Sequence, residues 1–330
     1  SVYSRLAGYE DVNDAERLAV DPTMRAITGK LAKDKNSASA NTMGRFETDM
    51  LTPEKNLNAI AQINGLWVRK AMRRTKYSRI ILDMDSSESP VHGEQEGSAY
   101  NGHFKSNCFH PLFCFNQFGD CEGAMLRPGN VHSATNWKAL LDPIVKRYRR
   151  HNGRKYFRGD AAFAKPEIYD YLEEKGFLYA IRLPAHELLY LRVRHLLTRP
   201  VGRPPRKPII WYGEFNYQAS SWTRPRRVVA KVEWHQGELF PRVGFVVTNM
   251  SAKPEGVVHF YNNRGTRRLL LPRNVKNWSL RSLLVKLIKI GAKVVRHGRY
   301  RIFQMAEVAI SKALFAEVLW RADRLRSCPA

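Results

Sequence analysis

Cysteine is scarce in this chain of 330 residues, and Cys108, Cys114, Cys121 and Cys328 stand at spacings that match no Cys-x2-Cys ligand pair. A structural zinc site is not expected, and the thiols read as buried groups in a reducing cytosol. No run of about 18 apolar residues occurs, so no helical membrane span is expected, and no secretory leader is read at the start. Internal repeats and low-complexity tracts are also missing. The most local absence is of acid: from Val257 to Ala306 there is neither Asp nor Glu.

What is present is a chain able to fold and strongly basic. Hydrophobic residues make up 44% of it, enough for a substantial core, which argues against disorder. Lys and Arg number 55 against 30 acids, a formal net charge of +25, so a polyanion is the expected partner and nucleic acid the first candidate. An inert charged surface is the alternative.

Residues 1–75 are polar with helical spacing and read as a small helical region, either scaffold or DNA contact. Asn13 is available as a cap with Glu16 three residues later, and Thr52 and Pro53 can open a second helix. "SRIILDMDSSES" reads as a buried strand ending in acids. "HFKSNCFHPLFCFN" and "CEGAMLRPGN" read as two more strands, paired with the first, and "NWKALLDPIVKRYRR" as a helix. "KYFRGDAAFAKPEIYDYLEEKGFLYAIRL" reads as strand, Asp160, a helix opened by Pro166 and stopped by Gly176, and a strand. The order is mixed α/β, with antiparallel strands first.

Residues 184–255 form a β-rich insertion with a basic Pro-rich loop, "RPVGRPPRKP". Beyond it "VVHF" reads as a strand leading into "FYNNRGTRR", and "LLVKLIKIGAKVV" and "FQMAEVAISKALFAEVLW" read as a helical C-terminal part.

Asp85, with Asp83 two residues before it on the same strand face, and Asp160 are the candidate carboxylates. Acids delivered by adjacent strands can hold Mg²⁺ or Mn²⁺, and two such ions about 3.5–4 Å apart serve phosphoryl transfer. An isolated strand-end Asp facing solvent is the plainer reading of either acid alone. The polar loop holding His92, Gly93, Gln95, Glu96, Tyr100 and Asn101 is either a connection or a source of phosphate contacts.

Together "LDMDSSESPVHGEQEGSAYNGHF", "LRPGNVHSA", "RGDAAFAKPEIYDYLEEKGFLYAIRL", "FYNNRGT" and "WSLRSLLVKLIKIGAKVVRHGRYRIFQMAEVAI", with "GYEDVNDAERLAVDP" near the start, resemble the DDE-type transposases of bacterial insertion sequences, DDE domain group one. The resemblance implies a ribonuclease H-like α/β core, its first part over 76–183 and the shortened remainder with C-terminal helices over 256–330, interrupted by the insertion at 184–255. It implies two Asp and one Glu that bind two Mg²⁺ or Mn²⁺ ions to cut and join DNA. The first family acid falls on Asp85, with Asp83 in reserve, and the second on Asp160. The third follows a Tyr-x2-Arg-x3 spacing, which here runs Tyr261, Arg264 and then Arg268.

Arg268 is therefore a cation where a metal ligand is expected. At an effective dielectric of about 20, like unit charges about 4 Å apart repel by roughly 4 kcal/mol. Val275 stands where the resemblance expects a Lys. "RGTRR" runs directly into "LLLPRNVKNWSL", which resembles a later part of the family's chain, and so implies an internal deletion. Glu255 is the candidate displaced acid. The expected function is DNA transposition by two-metal phosphoryl transfer, inactive if the third acid is truly lost. The alternative is a non-catalytic DNA-binding protein that occupies element ends or regulates intact copies.

The expected partners are double-stranded element-end and target DNA and further copies of the chain, with no membrane. The expected location is the bacterial cytoplasm, at the nucleoid. Tyr261, Arg264, Arg267, Arg268 and Arg273 and the loop "RPVGRPPRK" are the DNA-contact candidates. Trp211, Trp222 and Trp234 read either as insertion core or as stacking platforms for an extruded base.

Overall fold

The computed structural model describes residues 2–6, 9, 11–29, 35–73, 77–91, 93, 95–202, 207–264, 292–297 and 300–305, with isolated positions between 311 and 320. By its internal contacts the chain divides into two units, Ser1–Gln62 with Arg268–Ala330, and Ile63–Arg267.

In the first unit short helices follow one another: α1 (Val2–Leu6), α2 (Ala15–Val20), α3 (Pro22–Thr28) and α4 (Ala40–Arg45). The expected cap at Asn13 is not used. Asp11 accepts from the Asn13 amide, and Asp21 caps α3 by accepting from the Met24 amide at 2.7 Å. Pro22 causes the break, because it lacks an N–H and holds Asp21 extended at φ −66°, ψ 124°. Helix α5 (Glu54–Met72) follows Thr52 and Pro53 as expected.

The second unit is built on an eight-stranded mixed sheet. Strand β1 (Arg79–Ser86) is its reference. Next in the chain comes a small separate sheet of β2 (Ser89–Pro90), β3 (Ala99–Asn101) and β4 (Ser106–Phe109), ordered β2-β4-β3. The main sheet continues with β5 (Leu112–Asn116) and β6 (Cys121–Met125). The expected single strand through "HFKSNCFHPLFCFN" thus divides at His110 and Pro111, since proline cannot donate to a ladder. Helix α6 (Trp137–Arg147) leads to β7 (Arg154–Gly159), and α7 (Pro166–Glu174), stopped by Gly176 at φ +69°, leads to β8 (Phe177–Leu183).

After α8 (Glu187–Arg192) come β9 (Ile209–Tyr217), β10 (Arg226–Trp234) and β11 (Arg242–Thr248), then α9 (Pro254–Asn262). The strand order is β6-β5-β1-β7-β8-β11-β10-β9. β5 and β6 add antiparallel on one side of β1, and β7 and β8 add parallel on the other, which is the ribonuclease H-like order. Strands β11, β10 and β9 then extend the same sheet antiparallel from the edge of β8.

Alternation along each strand gives the sheet two buried faces. One packs Ile80, Leu82, Phe157, Tyr179, Ile181 and Val228 with the apolar sides of α6 and α7. The other buries Ile81, Tyr156, Ala180, Val229 and Val246 beneath Val257 and Val258 of α9. The expected strand at "VVHF" is thus a helix: Pro254 suits a first helical turn, and the adjacent valines reach a sheet face that is already complete.

In the first unit, β12 (Ala292–His297) and β13 (Tyr300–Met305) form an antiparallel pair where the sequence pattern suggested helix. β-Branched residues such as Val294, Val295 and Ile302 suit a strand pairing. Helical residues do occur among the described positions from 313 to 320.

Candidate functional site

Strand register brings the two leading acids together. Asp83 pairs with Arg158 and Met84 with Gly159 across β1 and β7, so Asp85 and Asp160 come next in line. On the far side Gly159 pairs with Ile181, which puts Arg182 next to Asp160. Asp85, Asp160 and Arg182 therefore form a row at the carboxyl ends of three parallel strands, the end at which open α/β sheets bind ligands. Arg182 was not singled out from the sequence; its one signal was its place just inside the end of an apolar strand.

Each acid is held locally. Asp160 accepts from the Ala162 amide at 3.0 Å, which caps the turn that ends β7. Asp85 accepts from the Ser86 amide at 3.0 Å and from Arg264 Nη2 at 3.2 Å. Burial holds the Asp85 carboxyl above the usual range; Arg264 pulls it down, and the neighbouring Asp160 charge pushes it up.

Asp83 is differently placed. Its carboxylate accepts from Arg158 Nε at 2.6 Å and Nη2 at 2.7 Å in a buried two-point ion pair. Its expectation as reserve metal ligand is corrected accordingly, because both oxygens are committed to a guanidinium. Arg158 also donates Nη1 to the Phe260 carbonyl at 2.7 Å and lies over the Phe260 ring. One side chain thus ties the acid strand to the last turn of α9. Arg158 was missed in the sequence, although its spacing two before Asp160 gives it the same face.

Tyr261 and Arg264 follow from that tie. Arg264 donates Nη1 to the Tyr261 hydroxyl at 3.2 Å and stacks over its ring. The pair lines a cleft of about 360 Å³ with Asp160, Arg182, Pro184 and Phe245. Arg267, Arg268, Arg273 and Val275 lie outside the described residues, as do His92 and part of the loop "RPVGRPPRK". Glu255 lies in the first turn of α9, six residues before Tyr261, and at about 1.5 Å per residue that is roughly 9 Å along the helix. Its expectation as a displaced ligand finds no support in that position.

Other candidates turn out to be framework. Asn101 is buried, donates to the Gly129 carbonyl at 2.6 Å and accepts from the amides of His103 and Phe104. Tyr100 beside it is exposed. Arg127 of "LRPGNVHSA" is buried and donates to the carbonyls of His110, Ser133 and Thr135, which clamps the loop before α6. Trp222 is buried edge-on to Tyr169 and Tyr217, and Trp234 is also buried. Of the two readings the sequence left open, burial selects the core one for both, while Trp211 is half-buried.

A two-cation site needs several oxygen donors around each ion. Among the described residues no three His, Cys, Asp or Glu side chains converge, and Asp85 is already paired with the Arg264 guanidinium. The donor set among the described residues does not fit two divalent ions.

The strand order and its row of charges place the chain in the ribonuclease H-like class of α/β proteins. Within that class it belongs to the transposase DDE domain group 1 family, whose sequence model matches residues 1–268. No curated protein matches the chain. Among solved structures it is similar to a piggyBac transposase in a synaptic complex with hairpin DNA, at 10% identity and a TM-score of 0.41, over 80% of this chain and 56% of that one. The chain thus spans little more than half the length of that structure's chain. No helix among the described residues is long and apolar enough to cross a membrane.

Proposed function

We propose that this chain binds DNA at the ends of a mobile element as a transposase-family protein, and that it holds those ends without cutting them. The observation that carries the reading is the incomplete acid set: among the described residues no third ligand side chain converges with Asp85 and Asp160, and Arg268 stands where the family's spacing calls for a further carboxylate. The basic balance of the chain supports a DNA partner, and the Arg182–Arg264 cleft supports a phosphate-bearing strand lying along the row. Members of the family generally use divalent ions, and in an intact site Asp85 and Asp160 would supply carboxylate oxygens to them; the donor set among the described residues does not complete that arrangement.

The test combines gel-shift binding and nicking assays on element-end duplexes, with Mg²⁺ or Mn²⁺ supplied. Binding without cleavage is expected. Cleavage that Asp85→Ala abolishes would overturn the non-catalytic reading in favour of a working transposase, and absence of binding would overturn the reading altogether.

A further inference from the structure

The eight-stranded sheet ends in two edges that differ in kind. At the β6 edge side chains answer the main chain: Asn64 donates to the Cys121 carbonyl, and Arg147 Nη2 to the Glu122 carbonyl at 2.6 Å. At the other edge β9 pairs with β10 along all nine of its residues. Among the described residues no strand or side chain hydrogen-bonds to the main chain on its outer side. An edge strand left so presents a row of unpaired N–H and C=O groups, and proteins commonly blunt it with Lys or Pro. Here Pro208 stands just outside the strand, and from Pro208 to Thr223 there is no Lys or Arg. The one charge in β9, Glu214, is held by Arg227 of β10.

Burial along β9 is half complete on both faces. Trp211, Phe215 and Tyr217 are half-buried on one and Tyr212 on the other, while Ile210 is 40% exposed. The strand also matches itself. Gly213 is its midpoint, so an antiparallel copy related by a two-fold axis at that residue sets Trp211 opposite Phe215, Ile209 opposite Tyr217 and Ile210 opposite Asn216. Aromatic and β-branched residues facing each other across strands are the pairs that stabilise a sheet. Charge selects the same partner. Copies of a chain carrying +25 repel, so they meet best where cations are missing, and a stretch without Lys or Arg offers little to a phosphate.

We propose that the outer edge of β9 is a homodimer interface, in which two copies pair antiparallel about Gly213 and join their main sheets into one. The proposal gives the expected further copies of the chain a surface and a register. It does not rest on the DNA-binding reading.

The test uses the full chain without DNA. Sedimentation over a concentration series is expected to show a monomer–dimer equilibrium for the wild type. Ile210→Lys supplies the cation that blunted edges carry, and the two-fold places it in the interface twice, so it is expected to weaken association by roughly tenfold or more. Ile210→Lys/Asn216→Glu is expected to restore association, because the new charges face each other across the axis. A cooperative melt confirms that each variant is folded.

Register is read by cross-linking with diamide, which takes up the electrons and protons of the two thiols. Ile210→Cys/Asn216→Cys is expected to give a covalent dimer well above the wild-type background. Either single cysteine variant is not, since its thiols would stand six residues apart, roughly 20 Å along the strands. A wild type that stays monomeric, one that grows beyond a dimer, or an Ile210→Lys variant that associates as tightly as the wild type would overturn the proposal. So would single cysteine variants that cross-link as well as the double one. Failure of DNA binding in the earlier assays would sink the proposed function and leave these results standing.

Discussion

Arg158 holds three acceptors with one guanidinium, the two oxygens of Asp83 and the carbonyl of Phe260. Its burial makes the pairing compulsory, because a guanidinium stripped of both water and partner is very costly. Asp83→Ala is therefore expected to destabilise the fold by about 3–5 kcal/mol, measured by urea denaturation. Replacing both partners with apolar residues, as in Asp83→Leu/Arg158→Met, is expected to cost much less, since no charge is then left unpaired. A loss below about 1 kcal/mol in Asp83→Ala would place the pair with exposed ion pairs instead. Asp83 and Asp85 share a strand face and differ in fate for one reason: Asp83 lies opposite Arg158, and Asp85 lies one step further along, opposite Asp160.

At the scale of the element, α9 is what converts a sheet edge into a cleft. Val257 and Val258 are buried against Val229 and Val246, so the helix is held by apolar contact as well as by the Arg158 tie. Val257→Ala is expected to cost about 2 kcal/mol and to speed amide exchange across α9 before the central strands open, seen by hydrogen exchange. Uniform exchange across helix and sheet in that variant would contradict a separately held helix. The sequence pattern was least informative at this element. "VVHF" is a short β-branched run, and such runs suit a strand and a sheet-capping helix equally well until their neighbours are known. By contrast, Pro166 and Gly176 bounded α7 where the sequence placed it, because proline and glycine act through their own backbone limits.

For the whole molecule the governing quantity is charge. An excess of 25 positive charges favours contact with phosphates, and each neutralised phosphate releases counterions. DNA binding is expected to weaken linearly in log Kd against log salt; about six phosphate contacts would give a slope of magnitude near 5. Salt-independent binding, read by fluorescence anisotropy on a labelled duplex, would argue that the excess charge is simply surface. The candidate site was legible in part from afar, as two acids ending apolar strands. That they stand side by side depended on a register of parallel strands separated by more than 70 residues, and no local pattern encodes such a register.

The sequence alone determined the basic character, the order of strands and helices from β5 to β8, the strand-end aspartates and the family, because these rest on composition, alternation and local backbone rules. Only the tertiary structure decided which acid is locked in a buried ion pair and which stand at the strand ends, that Arg264 answers Asp85, and that β9–β11 extend the same sheet. Each of those depends on contacts between segments far apart in the chain, where register and burial choose among partners that the sequence leaves equivalent.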